Sequence, residues 1–501
     1  MLNPLKKLVG QTAIYGLSTI VGRLLNYLLV PIYTRVFQTE VYGIVGEFYA
    51  YIPFVLILLI YGMETGFFRF ASKKENLNQV YSSIMTSLFA TTSIFIALIF
   101  IFLDPISSLI GYANHTEYIV YVALIVGIDA LIALPFTKLR ILDKAVKFVT
   151  IKLINIILTI ILNLYFIILC PYLSEHYCGE LINILLYFYD PKIGVGYVFI
   201  SNLGANIVTF LILLPEIFNI KYQFDWKLLK TILIYSLPLL IAGFAGMMNE
   251  TLDRLLIKYL LKTPESDSFA MSQLGIYSAN YKLAMLMSLF IQMFRYAAEP
   301  FFFQNKDDKN NKNLYAKATK FFAIFAFAIF LFVMFYIDIF KYFIGKEYYD
   351  GLNVVPILLL ANLFLGIFFN LSMWYKLNDM TRYGTYLTLI GSVITITLNF
   401  ILIPYIGYVG SAIATLVCYA IQMIISYFWG QKYYKIPYDV KNFFFYFFVT
   451  AILFCISYFG FEHFIDNKII VIILNTLLLI LYIFIVVKKE KMIEFCSFKR
   501  K

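Results

Sequence analysis

The sequence predicts an all-α polytopic membrane protein. It has fourteen transmembrane helices, arranged as two parallel six-helix repeat lobes plus two extra C-terminal helices, with both termini cytoplasmic. Three observations carry that prediction. The chain is 62% hydrophobic and 14% charged, with a mean hydropathy of +0.82, more apolar surface than a soluble domain can hide. Its apolar residues fall into runs of roughly 20, the length a helix needs to cross the bilayer core. Lys and Arg then divide unevenly between alternate connections: about 28 on the side holding both termini, about 7 on the other and about five within runs. A wrong number of runs would scramble that asymmetry.

In chain order the runs lie near 10–33, 41–61, 80–103, 117–137, 149–170, 193–214, 231–257, 270–300, 319–343, 354–375, 383–403, 406–429, 442–461 and 469–487. The first is too long for a cleavable signal, carries Arg23 and has no small-residue cleavage pattern, so it reads as a retained helix. Cytoplasmic connections are marked by Lys138, Arg140, Lys144 and Lys147 after the fourth run and by Lys306, Lys309, Lys312, Lys317 and Lys320 after the eighth. Lys488, Lys489, Lys491, Lys499, Arg500 and Lys501 mark the tail. The net charge of +11 is mostly this positive-inside signal, which points to anionic lipid headgroups and not to nucleic acid. The largest outer connection, about Pro171–Lys192, is too short for a folded domain. Cys170 immediately precedes it and Cys178 lies within it, where an oxidising compartment permits a disulfide. Cys418 and Cys455 read as small core residues, and no Cys/His spacing suggests a metal.

The chain is built twice. Tyr42-Gly43-Ile44 opens the second run and Leu274-Gly275-Ile276 the eighth, an offset of 232. Leu142-Asp143-Lys144, Lys147-Phe148 and Leu162-Asn163 recur as Leu377-Asn378-Asp379, Arg382-Tyr383 and Leu398-Asn399, at offsets of 235 to 236. A near-constant offset spanning six runs predicts a parallel repeat. It divides the chain into an N-lobe over 1–214, a cytoplasmic linker over 215–230, a C-lobe over 231–429, and two added helices with the tail over 430–501.

Ionisable groups at bilayer depth face a bundle interior or a watery cavity. Thr12, Gly16, Thr19, Arg23 and Asn26 share one face of the first helix, with Arg23 roughly 20 Å deep. Ser236, Gly243, Gly246, Glu250 and Asp253 make the matching stripe on the seventh, with Arg254 beside it. Small-residue helix packing accounts for Gly16 and Gly243 but not for the charges. The eighth run carries Lys282 near its middle and Arg295 and Glu299 one turn apart at its cytoplasmic end. Lys282 and Arg295 lie about 140° apart around a straight helix. Arg69 ends the second run as a cavity-mouth residue or a positive-inside anchor, while Glu47 and Asp129 are isolated buried acids, structural or proton-coupling. A cavity with several cations and few acids prefers an anion, and the arginine fork suits phosphate. The chain has no phosphate-cradling glycine loop, no metal-binding acidic pair in the first outer loop and no nucleophile–base pair, so the expectation is a transporter without cofactor and not an enzyme.

Thr34-Arg35 with Glu40-Val41-Tyr42-Gly43, Leu237-Pro238 with Asp253-Arg254, and Arg295-Tyr296-Ala297-Ala298-Glu299-Pro300-Phe301 together resemble the polysaccharide flippase family of the multidrug/oligosaccharidyl-lipid/polysaccharide exporter superfamily. The resemblance implies a two-lobed fold with a central cavity lined by helices 1, 2, 7 and 8. It implies a glycan on polyprenyl pyrophosphate as cargo, moved from inner to outer leaflet for O-antigen, lipopolysaccharide or capsule synthesis, and a groove for the polyprenyl tail at helices 13 and 14. It puts the cavity cations on Arg23, Arg35, Arg69 and Arg295, and the protein in a bacterial inner membrane. A proton or sodium gradient is the candidate energy source, and a polysaccharide polymerase and glycosyltransferases are the candidate partners. Two alternatives stay open: a multidrug cation antiporter using Glu47 and Glu250, and a lipid II flippase.

Overall fold

At bilayer depth no water reaches the backbone, so each apolar run satisfies its own N–H and C=O groups by closing into a helix. A computed structural model describes residues 21–490 apart from 23, 26, 72–75, 178–179, 220–221, 262–266 and 305–310. Every described element is helical. Helix α1 (Val30–Val36) is the end of the first run, most of which lies outside the described residues with the basic tail. Thirteen further helices are long and apolar enough to cross a membrane, as a multi-pass membrane protein requires. They are α2 (Thr39–Phe70), α3 (Leu77–Ile101), α4 (Thr116–Ile141), α5 (Ala145–His176), α6 (Gly196–Phe218), α7 (Trp226–Leu261) and α8 (Asp267–Gln304). The remaining six are α9 (Asn311–Phe335), α10 (Lys346–Leu377), α11 (Arg382–Ile406), α12 (Tyr408–Tyr433), α13 (Val440–Phe464) and α14 (Lys468–Lys489). The fourteenth crossing and the side of each terminus rest on the sequence. Cys178, and with it any pairing to Cys170, lies outside the described residues.

Two helices differ from their runs. Helix α2 breaks at Tyr61-Gly62, where φ is +36° and +74°, and resumes over Met63–Phe70. Gly62 is required there: a Cβ would sit 2.8 Å from the Ser236 carbonyl oxygen of α7. Arg69 therefore stands on a helix and not in a loop. Helix α7 runs past residue 257 to Leu261 and so takes Lys258 into the bundle.

The repeat is visible in backbone and side chains alike. Asp143 and Asp379, 236 residues apart, follow α4 and α10 in the same left-handed conformation, with φ +58° and +57°. Asn163 and Asn399, at the same offset, are both fully buried. Each donates from Nδ2 to a carbonyl one turn back, Thr159 or Thr395, at 2.7 Å. Each also accepts at Oδ1 a hydroxyl 2.8 Å away, from Tyr33 or Ser411. Near the N-terminal ends of α2 and α8 the two backbones cross at Gly43 and Gly275. A Cβ on Gly43 would overlap the Met271 carbonyl oxygen and one on Gly275 that of Thr39, a reciprocal pair at the offset of 232. Gly275→Ala is therefore expected to lower stability by roughly 1–3 kcal/mol through overpacking. A thermal melt of the purified protein checks this, and an unchanged midpoint refutes the tight crossing.

The chain forms two compact units, Met1–Gly275 and Ile276–Lys501, with the division inside α8. In the first, α7 packs with α2 and α3. Met63, Phe67, Tyr81, Met85, Leu134 and Ile232 knit α2, α3, α4 and α7 into one apolar core. In the second, α10 and α11 pack on α12, and α9 packs on α10, α13 and α14. Trp374, fully buried, anchors that core beside Phe368, Tyr375 and Leu387. Of the two added helices, α14 is fastened by hydrogen bonds to α9 and the residue that follows it: Tyr482 donates to Ile324 O at 3.0 Å, Asn475 to Phe335 O at 3.0 Å, and Tyr336 and Thr476 share a hydrogen bond of 2.7 Å. Ile469, Ile473, Leu477, Ile480 and Phe484 form the exposed stripe of α14, suited to lipid.

Candidate functional site

Arg23 and Asn26 lie outside the described residues. The remaining predicted site residues fall into three groups with different surroundings.

The first group joins the first half of α2 to the C-terminal end of α7. Glu47 is fully buried, and Lys258, only 2% exposed, reaches it from α7. Lys258 Nζ donates to both carboxylate oxygens, at 2.8 and 2.9 Å, and to Ile110 O at 2.7 Å. Tyr112 OH donates to the same carboxylate at 2.6 Å, and its ring lies 4.5 Å beneath the ammonium. Glu47 is thus not the isolated acid the sequence suggested; it is half of a closed ion pair. Lys258 escaped the sequence reading because hydropathy ended its run one residue earlier and counted it as a loop charge.

The second group lies midway along α4 and along α7. Asp129 accepts from Asn206 Nδ2 at 2.9 Å, and Asn155 donates to Asn206 Oδ1 at 3.0 Å and to Thr209 at 2.9 Å. This joins α4, α5 and α6 in one polar network, so Asp129 is not isolated either. The polar stripe of α7 divides. Ser236 and Gly243 pack on α2, against Gly66 and Ile57, the role small residues fill in membrane helix packing. Glu250 is exposed, Asp253 is buried, and Arg254 is half-buried. Asp253 Oδ1 accepts the Arg254 backbone N–H at 2.8 Å.

The third group is cationic. Arg35 ends α1, exposed, with Nη1 donating to Pro31 O at 2.8 Å. Arg69 is exposed and lies 4.2 Å over the Tyr235 ring, a cation–π contact that holds the guanidinium in place. Lys282 is half-buried on α8. Arg295 lies 4.1 Å over the Phe369 ring, and its Nη2 is 3.5 Å from Glu299, the pairing expected one turn apart. Glu299 also takes Lys376 Nζ at 2.7 Å. Lys376 was missed for the same reason as Lys258, since its run was ended at 375.

A family model described as polysaccharide biosynthesis protein matches residues 8–306, more than half of the chain. The chain belongs to that family. No curated protein matches it. Among solved structures, the lipid II flippase MurJ in an inward closed conformation is similar at 19% identity. That match covers 94% of this chain and 98% of that one, with a TM-score of 0.73. A multidrug resistance MATE family transporter of the MOP superfamily, inward-facing, is similar at 15% identity over 82% and 94%, with a TM-score of 0.66. This polysaccharide biosynthesis protein therefore has the fold of that superfamily. The family match takes in every predicted site residue, from Arg23 to Glu299, while Lys376 lies beyond it.

Proposed function

We propose that this polysaccharide biosynthesis protein is a flippase. It passes oligosaccharide units on polyprenyl pyrophosphate from the inner to the outer leaflet of a bacterial inner membrane, for O-antigen or capsule synthesis, by alternating access. The observation that carries the reading is Arg295, held over Phe369 at the cytoplasmic end of α8 with a second cation, Lys376, sharing its carboxylate. Cytoplasmic cations suit a diphosphate headgroup made on that side. Arg23, Arg35 and Arg69 are the further cations that the family resemblance assigns to the cavity. The antiporter alternative needs uncompensated acids, and Glu47 is already neutralised by Lys258. An apolar cavity of about 270 Å³ in the second unit, lined by Ile367, Leu371, Met423, Tyr427, Phe443 and Phe444, supports a site for hydrocarbon at α10, α12 and α13. The resemblance put the polyprenyl tail at α13 and α14 instead. A proton or sodium gradient resets the cycle, and polymerase and glycosyltransferases work beside it.

The test is the lipid-linked glycan pool after deletion of the gene. The pool is expected to accumulate on the cytoplasmic face while surface polysaccharide is lost. Complementation with Arg23→Ala or Arg295→Ala is expected to leave the block in place, and Arg23→Lys to relieve it partly, because charge survives without the fork. An unchanged pool with new sensitivity to cationic drugs would replace this reading with the antiporter.

A further inference from the structure

The cluster at the cytoplasmic end of α8 holds two cations for one carboxylate. Glu299 Oε1 takes Lys376 Nζ at 2.7 Å and, more loosely, Arg295 Nη2 at 3.5 Å. The Nε of Arg295 is buried and has no hydrogen-bond partner among the described residues, and neither has Oε1 of Gln292, one turn back on the same helix. A guanidinium presents Nε and one Nη as a parallel fork to an oxyanion. In Arg295 one tine of that fork is empty and another is only weakly used. A buried donor left unmade is costly, and here it is left unmade beside an excess positive charge.

We infer that Arg295 and Lys376 form a diphosphate-binding site and that Glu299 is its internal stand-in anion. The inference rests on the flippase reading for its cargo and adds to it the second cation and the role of the carboxylate. In the empty protein Glu299 keeps the two cations together, against their mutual repulsion. An arriving diphosphate carries more charge and more acceptor oxygens than one carboxylate. It takes the open fork of Arg295 and the ammonium of Lys376, and Glu299 is displaced. The Phe369 ring holds the guanidinium plane through the exchange. Each cation is then a binding residue, and the acid is a competitor that keeps affinity low enough for release.

This assignment makes Glu299 respond in the opposite direction from a structural ion-pair partner. The probe is farnesyl pyrophosphate, titrated by calorimetry against the full-length protein in phosphatidylcholine nanodiscs. Arg295→Ala and Lys376→Ala are each expected to weaken binding roughly 10- to 100-fold, the worth of a charge-assisted hydrogen bond. Lys376→Arg is expected to retain most of it. Glu299→Gln is expected to tighten binding by about tenfold, since the competing charge is gone. Glu299→Gln that weakens binding alongside Lys376→Ala, at an unchanged melting midpoint, overturns the proposal. So does Lys376→Ala at full affinity. Nanodiscs containing phosphatidylglycerol separate the two sources of phosphate. Competition by that lipid with the same dependence on Lys376 would make this a phospholipid headgroup site, not a diphosphate site. Farnesyl pyrophosphate binding in the expected pattern, combined with an unchanged lipid-linked glycan pool in the deletion strain, would keep the site and remove the flippase reading.

Discussion

Lys258→Ala is expected to destabilise the protein by about 3–5 kcal/mol, the cost of leaving a buried charge without its partner. Glu47 is fully buried, and three of the hydrogen bonds at this site come from one ammonium that is itself 2% exposed. With Lys258 gone, the carboxylate is left to the neutral hydroxyls of Tyr112 and Tyr51, and Ile110 loses the donor that ties the connection after α3 to α7. The pair as a whole is a different matter, because burying both charges has already cost most of what their attraction returns. The double variant Glu47→Leu/Lys258→Met is therefore expected to melt near the parent, well above Lys258→Ala. A contrasting case is Lys341, which shares Asp338 with Lys468 where all three side chains keep contact with solvent. Lys341→Ala should cost about 0–1 kcal/mol. Thermal denaturation in detergent compares the four proteins. A Lys258→Ala midpoint equal to that of Lys341→Ala would mean that the ion pair is not a fastener.

The same residues show what the sequence could and could not tell. Hydropathy and charge located every run that the structure describes as a helix, because the bilayer imposes one length and one polarity rule on all of them. The repeat was legible because equal offsets give Asn163 and Asn399 the same bond to a carbonyl one turn back, Asp143 and Asp379 the same backbone conformation, and Gly43 and Gly275 a reciprocal contact. Pairings were not legible. Glu47 and Lys258 are 211 positions apart, Glu299 and Lys376 77, and no periodicity within one helix announces a partner on another. Both lysines were also assigned to loops, since a window average falls as soon as a charge enters it, wherever the helix itself ends. The break at Tyr61-Gly62 was hidden for a related reason. Apolar residues continue through it, and its cause is the close approach of α7, a feature of packing that composition does not record.

A disulfide between Thr39→Cys and Ser272→Cys, in a background stripped of the native cysteines, is expected to stop transport completely and reversibly. The two hydroxyls are 2.7 Å apart, within the adjustment a disulfide needs. They lie at the crossing where Gly43 and Gly275 let the backbones of α2 and α8 touch. Both helices belong to the set that the family resemblance assigns to the cavity wall, and the orientation expected from the charge distribution puts these residues at the outer face. On the proposed flippase reading, with alternating access, the glycan leaves through that face, and the ends of α2 and α8 that meet there are expected to part once in every cycle. A covalent link there removes the outward-open state while leaving the cytoplasmic cations untouched. The oxidised protein should therefore still bind farnesyl pyrophosphate with the affinity of the reduced one, yet move no lipid-linked glycan in proteoliposomes, and dithiothreitol should restore transport. Loss of binding together with transport would indicate damage to the fold. Full transport by the cross-linked protein would show that the crossing is a fixed seam, and the glycan would then need an exit that does not pass between α2 and α8.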